Sequence, residues 1–244
     1  MNFVLVHGAW HGGWCWHRLE PLLRAAGAHV QAPDLPGHGD DATPVADVTL
    51  EAYVDRVVAA VEAAPGPVEL VGHSMGGVVI SAVAERVPER LAGLTYVCAF
   101  LPRDGEVLGA LGAEDRGSEL NPLLRPTAEG DALLVDAAGA RDVFYEGCDE
   151  EDVHAALAQL VPQALAPLQT PVALSEARFG CVARSYVLCS RDRAVTPTMQ
   201  RTLLERSPCD PVIELATGHS PFLADAPGLA AALLDIARQR SAHP

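Results

Sequence analysis

A serine, an aspartate and a histidine in this chain stand where nucleophilic chemistry would need them. Ser74 sits in VELVGHSMGGVVI, between an apolar run and a helical pattern, with Gly72, Gly76 and Gly77 crowded around it. Glycine inside a strand or helix costs roughly 0.5–1 kcal/mol relative to alanine. Three so close together mark a backbone path that other residues cannot follow. Gly72-His73-Ser74-Met75-Gly76 fits G-x-S-x-G, at the strand-to-helix junction where that motif lifts a serine hydroxyl on a tight turn. The glycines two before and two after are expected where neighbouring chains approach too closely for a Cβ. A chance glycine-rich turn is the rival reading, and the strand-helix context argues against it. A serine hydroxyl is a weak nucleophile alone; it needs a base within hydrogen-bond reach, itself held by an acid.

On such turns the acid and base follow the serine in chain order, each at the end of a later strand. SYVLCSRDRAV puts Asp192 just after one strand, and VIELATGHSPF puts His219 just after the next. Nine histidines compete. His7 lies at the first strand-loop corner, His11 and His17 in the first loop, His38 in PGHG before the serine, and His154 mid-chain. His73 is the motif's variable residue and is expected to point away from the base position. Only His219 combines chain order with a preceding strand. Asp192 is flanked by Arg191 and Arg193, so a surface ion pair is its alternative role, while Asp225 follows His219 and breaks the order. For a developing oxyanion, Met75 supplies the backbone N–H after the nucleophile. The loop His7-Gly8-Ala9-Trp10 supplies a second, from Ala9. Trp10 and Ser220 are expected to contact substrate.

Positioning these residues takes a sheet. FVLVH reads as a buried strand, LEPLLRAAG as a helix, HVQAPD as a second strand and LEAYVDRVVAAVEAA as an amphipathic helix capped by Thr49 and halted by Pro65. VELV, the helix GGVVISAVAERV ended by Pro88, and the strand LTYVCAF complete the first half. Strands that are continuous apolar runs separated by helices imply a parallel sheet covered on both faces. The rhythm breaks after Leu101. From Pro102 to Phe179 no comparable strand occurs, only Gly/Pro-punctuated segments and helical patterns such as EEDVHAALAQLV. Alternation resumes with SYVLCS, TMQRTLLERS, VIEL and PGLAAALLDIARQ. The expected organisation is an α/β core over residues 1–101 and 180–244, with 102–179 inserted as a helical cap.

A net charge of −15 argues against nucleic acid and anionic membrane surfaces as partners. No apolar run reaches the ~20 residues that cross a bilayer. The N-terminus lacks the features of a signal peptide. The six cysteines form no CxxC, and Cys98 and Cys189 fall in predicted strands, so the thiols are read as reduced and the chain as cytoplasmic. No cluster has metal-ligand spacing.

FVLVHGAWHGGWCWHRLEPLLRAAGAHVQAPDLPGHG, LVGHSMGG, FYEGCDEEDVHAALAQLVPQALAPL and EARFGCVARSYVLCSRDRAVTPTMQ together resemble the plant methylesterase and hydroxynitrile lyase branch of the α/β-hydrolases. The alanine, arginine and aspartate usage points to a bacterial member. The resemblance implies the α/β-hydrolase fold, Ser74, Asp192 and His219 as a triad, an oxyanion hole at Ala9 and Met75, no cofactor, and a small-molecule ester as substrate; a homodimer is left open. It is weakest from Arg103 to Arg141, the part of the cap that shapes the acyl pocket. The lyases of this branch carry threonine where Gly8 stands and lysine where Ser220 stands, and both departures favour ester hydrolysis over C–C cleavage. A receptor-like binder with an idle triad is the third reading.

Overall fold

The computed structural model describes residues 1–242. Its first half alternates as expected through β1 (Asn2–Val6), α1 (Leu19–Ala25), β2 (His29–Gln31), α2 (Leu50–Ala63), β3 (Val68–His73), α3 (Gly76–Arg86) and β4 (Leu91–Val97). Between β4 and the next core strand lie α4 (Leu108–Glu114), β5 (Leu124–Pro126), β6 (Ala132–Val135), α5 (Ala137–Phe144), α6 (Glu150–Leu157), β7 (Gln163–Ala164) and α7 (Leu165–Gln169). The chain then returns as β8 (Arg184–Cys189), α8 (Pro197–Arg206), β9 (Val212–Leu215), α9 (Pro221–Ala224) and α10 (Ala226–Ala242).

The central sheet is six-stranded in the order β2-β1-β3-β4-β8-β9, and every pairing in it is parallel. Its inner strands are buried almost throughout, as strands covered by helices on both faces must be. The edge strand β9 alternates between exposed and half-buried. Capping chemistry sets the helix starts. Thr49 Oγ1 accepts from the Ala52 N–H at 3.1 Å to open α2, and Thr196 Oγ1 accepts from Met199 N–H at 3.2 Å to open α8, with Pro197 at the first helical position.

The segment between β4 and β8 differs from the expectation in one respect. It adds no strand to the central sheet, yet it is not purely helical: β5, β6 and β7 form a small antiparallel sheet of their own. These strands are two to four residues long, too short for a period to show in sequence. The second strand is also shorter than HVQAPD, and Cys98 lies just past β4 with a positive φ of 36°. A buried polar group ties this segment to the core. His38 Nε2 meets Gln163 Oε1 of β7 at 3.1 Å, and the Gln163 amide donates to the Tyr53 hydroxyl of α2 at 3.1 Å. Among the described residues no helix is long and apolar enough to cross a membrane.

Candidate active site

Ser74 links β3 to α3 with φ of +54°, the left-handed region that an L-residue enters only when its surroundings hold it there. The glycines around it have a steric cause. A Cβ on Gly72 would stand 2.6 Å from the Gly76 carbonyl oxygen, one on Gly76 would stand 2.7 Å from that of Val6, and one on Gly77 would stand 2.1 Å from that of Phe100. Helix α3 thus lies against the sheet at distances only glycine permits, with Ser74 at the bend.

The loops after β8 and β9 bring Asp192 and His219 together. His219 Nδ1–H donates to Asp192 Oδ2 at 2.7 Å, and both side chains are buried. The other carboxylate oxygen accepts the backbone N–H groups of Ala194 at 2.7 Å and Val195 at 3.0 Å. Neither flanking arginine takes this carboxylate; Arg193 instead forks onto Glu119 in the segment between β4 and β8. Gln200, unremarked in the sequence, staples the loop: its amide donates to the carbonyls of Val195 at 2.7 Å and Cys189 at 3.2 Å.

That same segment clamps the acid loop from above. Asp115, itself buried, accepts from Thr196 N–H and Thr196 Oγ1–H, both at 2.7 Å, and Ser118 Oγ–H donates to the Ala194 carbonyl at 2.7 Å. Phe144 packs its ring 5.6 Å from that of His219.

His73 does not simply point away. Its Nε2–H donates to the His219 carbonyl at 2.8 Å, and the two ring centroids are 4.5 Å apart, so the residue beside Ser74 holds the loop that carries His219. Burial drives its pKa well below the usual histidine value and keeps it neutral. His7 accepts from the Leu35 N–H at 3.1 Å and is held neutral by burial in the same way. His11 accepts from the Tyr145 hydroxyl at 2.9 Å, and burial lowers it to about 4. These histidines are structural, and the sequence signal for them is only their position at strand-loop corners. His73, Cys98 and His219 place three potential donor atoms within 4.8 Å of one another. Of these residues, His73 already bonds through Nε2 and His219 through Nδ1. The thiols of all six cysteines are free.

Ser74 opens onto a cavity of about 420 Å³ whose wall also includes Ala9, Trp10 and Met75. Trp10 has a positive φ of 63° and is tied to the overlying segment twice. Its indole N–H donates to the Leu133 carbonyl at 2.8 Å, and its own carbonyl accepts the Val161 N–H at 3.0 Å. The remaining wall is apolar apart from Ser118 and Asn121, and no charged side chain lines it. Ser220 is not part of this wall. It caps the start of α9 and is 1% exposed.

Comparison with known proteins agrees with this fold. The alpha/beta hydrolase family matches residues 3–232. Methylesterase 2 of Arabidopsis thaliana is 31% identical over 97% of this chain and 95% of its own. The carbendazim hydrolyzing esterase of a Nocardioides strain is 37% identical over 77% of this chain and 79% of its own. Among solved structures, a pyrethroid hydrolase from Sphingobium faniae JZ-2 superposes with a TM-score of 0.88 at 31% identity, covering 98% of this chain and 97% of that one. The match spans the core strands, the serine turn and the segment over the cavity alike, and the chain belongs to the alpha/beta hydrolase family.

Proposed function

We propose that this protein is an esterase in which Ser74 attacks the carbonyl carbon of an uncharged carboxylic ester. His219 Nε2 takes the hydroxyl proton as the tetrahedral intermediate forms and returns it to the departing alkoxide, leaving an acyl-serine. Water, deprotonated by the same nitrogen, then releases the acid and restores Ser74. Asp192 holds His219 in the tautomer that presents Nε2 as the base and stabilises the imidazolium. The N–H groups of Ala9 and Met75 receive the oxyanion, where losing a single donor typically costs about 3–4 kcal/mol in the barrier. The observation that carries this reading is the buried 2.7 Å Asp192–His219 pair, whose loop is bonded to the residue adjacent to Ser74. The names of the relatives, two esterases and a pyrethroid hydrolase, support ester bonds as the target. The uncharged cavity wall favours apolar acyl groups or methyl esters.

Cyanohydrin cleavage is disfavoured at both positions that distinguish it. A Cβ on Gly8 would stand 2.9 Å from both His73 Nδ1 and Ser74 Cβ, leaving no room for threonine, and Ser220 supplies no cation for departing cyanide. The test is hydrolysis of para-nitrophenyl acetate by the protein and by Ser74→Ala, with mandelonitrile offered in parallel. Turnover that Ser74→Ala abolishes supports the esterase. A rate unchanged in Ser74→Ala refutes it, no turnover points to a binder, and serine-dependent benzaldehyde release at a matching rate points to the lyase.

A further inference from the structure

Helix α4 forms one side of the cavity mouth and reads LGALGAE, with two glycines in seven residues. Glycine is the poorest helix former after proline, so each needs a reason. Neither has the left-handed backbone that favours glycine. Gly109 has a packing reason: a Cβ there would stand 3.1 Å from the Leu168 carbonyl oxygen of α7. Gly112 has none. The nearest atom to a Cβ at that position is Phe100 Cζ, 4.0 Å away, and Phe100 is itself a cavity wall residue. What the missing side chain leaves is room inside the cavity.

The rest of the wall says what fills that room. The Ser118 hydroxyl is spent on the Ala194 carbonyl, and the Asn121 amide donates to the Gly112 carbonyl at 3.1 Å. No charged side chain is present to anchor an ionic group. A volume of about 420 Å³ lies in the range of roughly 300–1,000 Å³ that holds a drug-sized ligand. We infer that Gly112 is a specificity-determining residue, and that the substrates are neutral esters bearing a bulky apolar group lodged against the Gly112 face of α4. This rests on the esterase reading above and names its substrate class.

The experiment compares para-nitrophenyl acetate with para-nitrophenyl naphthoate in the unsubstituted protein, Gly112→Ala and Gly112→Leu. In Gly112→Leu the kcat/KM ratio of naphthoate to acetate falls by roughly tenfold or more. Gly112→Ala gives a smaller drop in the same direction and raises the unfolding temperature by roughly 2–4 °C, since alanine favours the helix and meets no clash. A merely structural glycine behaves oppositely, losing stability and both activities together. A naphthoate-to-acetate ratio changed less than about threefold in Gly112→Leu, or parallel loss of both, overturns the inference. If Ser74→Ala retains acetate turnover, the esterase reading falls first, and this inference falls with it.

Discussion

Lowering the pH below the ordinary histidine range should destabilise this protein through its buried histidines. His11 is fully enclosed; burial is the dominant cause holding it down to about 4 from an ordinary 6.5, with no compensating acidic partner. The native state therefore refuses a proton that the unfolded chain accepts below pH 6.5. Because the folded value is depressed, this contribution to stability is fully present above 6.5 and is lost as pH falls from there toward 4. At pH 5 the gap is about 1.5 units, and at about 1.4 kcal/mol per unit His11 alone removes about 2 kcal/mol. His7 and His73, also shifted down chiefly by burial, act in the same direction. Against a typical total of about 5–15 kcal/mol, the loss from His11 alone is a sizeable fraction of the stability. The assay is urea denaturation at pH 7.5, 6 and 5 with the slope m held as a check on two-state behaviour. The midpoint should fall steadily over that range, and His11→Gln should shrink the difference between pH 7.5 and pH 5 by about 2 kcal/mol. Equal stability at pH 7.5 and 5 would refute the reasoning.

Two substitutions test the framework around the site. Gly77→Ala drives a Cβ to within 2.1 Å of the Phe100 carbonyl oxygen, so despite better helix propensity it should lose about 1–3 kcal/mol in denaturant titration. Asp115→Ala removes two hydrogen bonds from Thr196 to a buried carboxylate, worth about 3 kcal/mol together. With the acid loop loosened, kcat for para-nitrophenyl acetate should fall more than KM rises, and Asp115→Asn should recover part of both losses; an unchanged kcat in Asp115→Ala would show that the loop holds itself.

The core elements were legible in the sequence because they rest on local rules. Apolar runs of strand length, Thr49 as a cap, and Pro65 and Pro88 as stops each act within a few residues, and they mark core strands and helices that the structure contains. The serine turn was legible for the same reason, since strand, glycines and helix are contiguous. Chain order then singled out Asp192 and His219, which lie 27 residues apart and meet at 2.7 Å. What the sequence could not supply was anything dependent on distant segments meeting. His73 was expected to point away, yet it holds the His219 carbonyl across 146 positions of chain. Asp115 and Gln200 show no motif at all and gain their roles only once the segment over the cavity and α8 close around the acid loop. Ser220 directly follows His219 but does not line the cavity, because packing and not adjacency in sequence decides the wall. The strands β5 to β7 exist only as partners of one another, being too short to carry a period alone. Gly112 could be read in the sequence only as a weak spot in a helix. Tertiary structure decided that its missing side chain leaves space rather than closes a contact, since only packed coordinates reveal which atoms a Cβ would meet.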